Sequence, residues 1–237
     1  MEKRAVPAFN SAMTKKEAIA AIAYLPVHII LLPAVLGALI ARGVMAEVWA
    51  NFTCYAVGAA YMLALEGRFL RRDFDALCDR PFFIIVEVVA SYALLLACNF
   101  VMSLALVNVP VEANPNNESV IGLIMDSFGP MAAAAVFLAP ILEELIFRAG
   151  IFGLLRRRSR LAAYCVSAAA FALYHVWGYA AESVSYLIYI VQYIPPAILL
   201  ARCYERTDSI WGGIFLHMLT NGVSVRAVLL LQELGAL

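Results

Sequence analysis

The sequence predicts an all-α fold, a polytopic transmembrane helix bundle of about seven spans. Three observations lead there. The 237 residues are 64% hydrophobic and only 14% charged, where a soluble domain runs nearer half apolar and a quarter charged. The excess lies in long runs without a charged side chain, at 25–40, 88–111 and 161–181. A helix needs roughly 20 mainly apolar residues to cross about 30 Å of hydrocarbon. Backbone groups in lipid must pair internally, so these runs are helices, and the short alternating pattern of a barrel is missing.

Spans are expected at about 17–41, 46–67, 82–107, 130–156, 161–179, 184–203 and 209–232. The first is preceded by Lys3, Arg4, Lys15, Lys16 and Glu17 and is long enough to cross, so it reads as a retained helix rather than a cleaved signal. The stretch 111–128 begins as a polar loop, and its second half can form a short interfacial helix. Gly129-Pro130 marks a new element. This divides the chain into 1–110 with three spans and 111–237 with four.

The basic residues test the layout. Lys3, Arg4, Lys15 and Lys16 precede the first span. Arg68, Arg71, Arg72 and Arg80 are expected in a 68–80 loop, Arg156, Arg157, Arg158 and Arg160 in a 156–160 loop, and Arg202 and Arg206 in a 202–206 loop. With seven crossings these 14 of 17 basic residues share one side. The positive-inside rule then makes the protein a multi-pass cell-membrane protein with a cytoplasmic N-terminus. A formal net charge of zero gives no electrostatic case for a nucleic-acid partner. The five cysteines show no CxxC and read as packing residues.

Polar residues inside spans are costly and mark function or helix pairing. Glu143 and Glu144 lie about 12 residues before the basic end of their helix, roughly 18–20 Å deep. Adjacent helical residues diverge by about 100°, so the two carboxylates cannot share one task. Glu144 and Arg148 stand at i, i+4 with the acid first, the favourable order for an ion pair. That pairing leaves Glu143 free for general-base work, and Pro140 removes a hydrogen bond just before it. Phe171 and His175 share a helix face, as do His217 and Asn221. The plain alternative is a buried ion pair and polar side chains that glue helices together. His28 and Glu87 are single polar residues in spans and read as structural.

Together these residues suffice for peptide hydrolysis. A carboxylate takes a proton from water, an imidazole holds the water or protonates the leaving amine, and the remaining His and Asn donate to the oxyanion. The same set could bind a divalent metal through Glu and His. There is no H-E-x-x-H, no pair of membrane-buried aspartates and no G-x-S-x-G in a span, which excludes those intramembrane chemistries.

The ordered motifs E-E-x-x-x-R (Glu143, Glu144, Arg148), F-x-x-x-H (Phe171, His175) and H-x-x-x-N (His217, Asn221) resemble those of the CPBP family. Its members are CAAX-type prenyl endopeptidases and bacteriocin-processing or immunity membrane proteins. The resemblance covers about 130–225, and its one departure is Ala149 where Gly often follows F-R. It implies a CAAX-protease-like core and a glutamate-dependent intramembrane endopeptidase acting on a membrane-associated peptide or protein. Glu143 would activate water with help from His175, His217 and Asn221 would stabilise the oxyanion, and Glu144, Arg148 and Phe171 would support the site. No metal or other cofactor is then required. The alternative is a noncatalytic scaffold or bacteriocin self-immunity protein that binds a peptide or a partner membrane protein. An odd span count without inverted repeats weakens a transporter reading.

Overall fold

The protein was analysed as a computed structural model, which describes residues 9–106 and 113–235. Every regular element among them is helical: α1 (Lys15–Ala41), α2 (Glu47–Asp79), α3 (Pro81–Leu106), α4 (Pro115–Asp126), α5 (Phe128–Arg156), α6 (Arg160–Glu182), α7 (Val184–Thr207) and α8 (Ile210–Glu233). All except α4 are long and apolar enough to cross a membrane, which makes seven candidate spans. The boundary expected at 110/111, like Lys3 and Arg4, lies outside the described residues.

Local chemistry accounts for the helix starts. Thr14 and Glu17 form a reciprocal capping box at α1, with the Thr14 N–H donating to Glu17 Oε2 at 2.6 Å. Asn114 caps α4 by accepting from the Asn116 N–H at 3.0 Å, with Pro115 in the first turn where its missing N–H does no harm. Ser159 caps α6 through the Ala162 N–H.

Two expected loops are helical instead. α2 runs on to Asp79, so Arg68, Arg71 and Arg72 ride on a 33-residue helix of roughly 50 Å, well beyond the hydrocarbon thickness. Its extension stays helical because Phe69, Leu70 and Asp73 are buried against the bundle while the arginines face outward. Arg202 and Arg206 likewise sit in the last turns of α7, where both pair with Glu87 of α3. Glu87 thus has the structural role expected of it.

The basic segments meet at one end of the bundle. Arg72 Nη2 donates to Ala12 O at 3.2 Å, Arg157 donates to Met13 O, and Arg80 Nη2 reaches Thr207 O at 3.2 Å. Arg156 and Arg160 both pair with Glu205. Asp208, in the left-handed region with φ 48°, turns the chain between α7 and α8. Its carboxylate accepts the N–H groups of Asn10 and Ser11 at 2.8 and 2.9 Å. Asp is among the few side chains that tolerate this conformation.

α5 is the central element. Within its most apolar window 56% of residues are buried, against 22–33% for the other spans. It packs on α1, α2, α6, α7 and α8. The register of α8 is pinned from outside that helix: Asp73 of α2 accepts the Ile210 N–H at its first turn, and Ser209 Oγ donates to Asp73 O at 3.2 Å. Asp73→Ala removes the acceptor of a buried helix-terminal N–H, so it is expected to destabilise the protein by about 1–2 kcal/mol. A lower thermal midpoint of the detergent-solubilised protein measures this.

Candidate active site

The site is built outward from α5. Two stretches of this helix, Ala134–Leu138 and Glu144–Phe152, are wound as wider π turns, a form that recurs at functional sites. In the first, the Ala139 N–H bonds Ala134 O five residues back. Residue 140 would bond Ala135 O in the same way, but proline has no N–H. That carbonyl is taken by Asn221 of α8, whose Nδ2 donates to it at 2.8 Å. Pro140 therefore creates the acceptor that orients Asn221.

Glu143 and Glu144 diverge as their spacing requires. Glu144 is fully buried: Arg148 Nη1 lies 3.3 Å from its Oε1, and His217 Nδ1 lies 2.8 Å from the same oxygen. α8 comes this close because residue 213 is glycine. A Cβ there would stand 3.1 Å from Glu144 Oε2. Arg148, also fully buried, stacks over the Phe171 ring at 4.1 Å and donates to Ala197 O of α7 at 3.4 Å. Phe171 has a second task. Its carbonyl oxygen accepts from His175 Nδ1 at 2.9 Å, so the Nδ1 proton is engaged and Nε2 faces the interior.

Glu143 points into a cavity of about 570 Å³, which His175, His217 and Asn221 also line. Its Oε2 is buried without a hydrogen-bond partner. His175 Nε2 and His217 Nε2 stand 3.9 and 3.8 Å from it, longer than a direct hydrogen bond and within the span that one small molecule bridges. A second cavity of about 380 Å³ reaches His175, His217 and Asn221 from the side of α3 and α7. The seven residues of the three motifs thus fall in one connected cluster. Among the described residues, no group of three or more His, Cys, Asp or Glu side chains has metal-holding geometry.

Some contributors carry no sequence motif. Tyr193 stacks on His175 with ring centroids 4.4 Å apart and planes 22° apart, and its hydroxyl accepts from Asn114 and Asn116 at 3.1 Å each. Tyr174 precedes His175, and its hydroxyl lies 3.2 Å from Tyr55 Oη of α2. Tyr164, Ser167 and Tyr179 carry hydroxyls in the same helix, so no local signal singles it out.

Residues 126–223 match the family model described as type II CAAX prenyl endopeptidase Rce1-like. The segment contains all three motifs, and α1–α3 lie outside it. No curated protein and no solved structure matches the chain.

Arg148→Ala would leave the Glu144 carboxylate buried beside one remaining partner. Removing half of a buried pair costs about 3–5 kcal/mol, so a large fall in thermal midpoint and in yield of monodisperse protein is expected. Arg148→Lys keeps the charge but loses the planar stack on Phe171, and it should fall between alanine and wild type.

Proposed function

We propose, from the match of residues 126–223 to the family model described as type II CAAX prenyl endopeptidase Rce1-like, that the protein is an intramembrane endopeptidase. In this reading a water activated by Glu143 attacks a membrane-associated peptide or protein. The observation that carries it is the Glu143 carboxylate, buried and unpartnered at Oε2, with the Nε2 atoms of two histidines 3.8 and 3.9 Å away.

The chemistry follows from the donors and acceptors. A water between Glu143 and His175 finds two acceptors, the carboxylate and a bare Nε2, because the His175 Nδ1 proton is committed to Phe171 O. Glu143 takes one proton as the water oxygen bonds to the scissile carbonyl carbon. The carbonyl electrons move onto its oxygen. When the C–N bond breaks, Glu143 passes the proton to the leaving nitrogen. The oxyanion is met by His217 Nε2 and by the second N–H of Asn221, whose first is held by Ala135 O. His217 donates there when its ring carries both protons, and its Nδ1–H is held by Glu144. Glu144 and Arg148 therefore act by positioning His217.

No metal takes part in this reading: Glu143 serves as the base and the histidines and Asn221 as the remaining polar groups. The substrate is a peptide or protein segment reaching the cavity from the bilayer. The basic end of the bundle, by the positive-inside rule, faces the cytoplasm of a cell membrane and takes the N-terminus with it.

Glu143→Gln is expected to lower kcat on a cleaved membrane-anchored or prenylated peptide by about 10²–10⁴-fold, the usual worth of a general base, with helicity and detergent elution unchanged. A Gln variant as active as wild type overturns the proposal. A wild type that retains such a peptide uncut points to the scaffold reading instead. His217→Ala should cost about 10²–10³-fold in kcat, as loss of an oxyanion donor does. Cleavage should persist undiminished in EDTA and in 1,10-phenanthroline, and metal-restorable loss would refute the metal-free step.

A further inference from the structure

The matched segment does not close the site by itself. α1 and α2, both outside it, bring His28, Cys54 and Tyr55 to the wall of the Glu143 cavity. His28 is the third histidine of the chain and is 4% exposed. It sits in a π turn, Val27–Leu31, that follows Pro26, and the sequence suggested only a structural role for it.

Its hydrogen bonds form a chain. His28 Nε2 is 3.1 Å from Tyr174 Oη, and Tyr55 Oη is 3.2 Å from the same atom. On its other side His28 Nδ1 meets Cys54 Sγ at 3.6 Å. Tyr174 in turn interacts with the Glu143 carboxyl group, and both line the same cavity. One placement of the protons runs the chain to Glu143: the Cys54 thiol, whose other acceptor is the His28 carbonyl oxygen at 3.7 Å, turns to Nδ1. A thiol S–H on Nδ1 leaves the imidazole proton on Nε2, which then donates to Tyr174 Oη. Tyr55 donates to the remaining lone pair. A phenol oxygen with both lone pairs occupied has only its O–H left, and Glu143 is the acceptor beside it.

We propose that His28, with Tyr55, is a positioning residue for the Glu143 site, holding Tyr174 so that its hydroxyl donates to the Glu143 carboxylate. The donation fixes one Glu143 oxygen and leaves Oε2 turned toward His175 and His217. The effect on rate rests on the endopeptidase reading, whereas the hydrogen-bond chain stands apart from it.

Two measurements test the proposal. The first is the ¹⁵N imidazole spectrum of histidine-labelled protein, with His28 assigned by its loss in His28→Gln. The His28 ring signals are expected to shift in Tyr174→Phe and, through the chain, in Glu143→Gln, although Glu143 does not touch His28. Signals unmoved in both variants overturn the proposal whether or not a substrate is known. The second is turnover of a membrane-anchored peptide cut by the wild type. His28→Phe and Tyr174→Phe should each lower kcat about tenfold, a fraction of what a general base supplies, with KM unchanged. The double variant should be no worse than the poorer single, since residues acting in one chain are not additive. His28→Gln, which keeps an N–H donor, should recover most of the loss. A general packing role would instead give additive losses without rescue by Gln, and that result also overturns the proposal. If the wild type cuts nothing, the endopeptidase reading fails, while the spectrum still decides the chain.

Discussion

A single buried carboxylate organises this bundle. Glu144 has no access to solvent, and one of its oxygens is shared by Arg148 Nη1 and His217 Nδ1. A charge in so apolar a setting is tolerable only when paired. Its two partners therefore bind four helices into one arrangement. Arg148 stacks on Phe171 of α6 and reaches the Ala197 carbonyl of α7, while His217 brings α8 against α5. Gly213 allows that approach, because any larger residue would meet the carboxylate. Displacing Glu144 would move an imidazole, an arginine and three helix contacts together.

The neighbouring Glu143 is defined by contrast. Glu144 Oε2 is also unpartnered but lies against Gly213, whereas the bare Oε2 of Glu143 is directed at two ring nitrogens and satisfied by neither. An unmet buried acceptor is unfavourable in itself, and such departures gather where chemistry is done. The helix that carries it departs from regular winding on both sides, and the proline before it opens the carbonyl that Asn221 fills. Backbone irregularity at membrane depth is affordable here because neighbouring side chains complete its hydrogen bonds.

The two halves of the chain contribute differently. The family match and all three motifs lie in 126–223, yet α1 and α2 supply part of the cavity wall and the cap that seats α8. At the other end of the cavity, amides from α4 clasp Tyr193 against His175. Hydrogen-bonding side chains from outside the motifs thus line the approach to the cluster.

Helix number and membrane character were legible in the sequence because hydrophobic run length is a local property that the bilayer thickness reads directly. The Glu144–Arg148 pair was legible for the same reason, since four-residue spacing on a helix needs no tertiary information. The helical ends of α2 and α7 were not, because charged residues there look like loop until Asp73, Glu87 and Glu205 are seen to receive or flank them. Nor were the roles of Pro140, Gly213, Tyr174 and Tyr193, each of which acts on a residue at least 20 positions away or across a helix interface. By itself the sequence determined which side chains enter the membrane and on which helix faces they lie. Only the tertiary structure decided that the open Glu143 oxygen faces the ring nitrogens of His175 and His217, because that depends on how closely separate helices can pack.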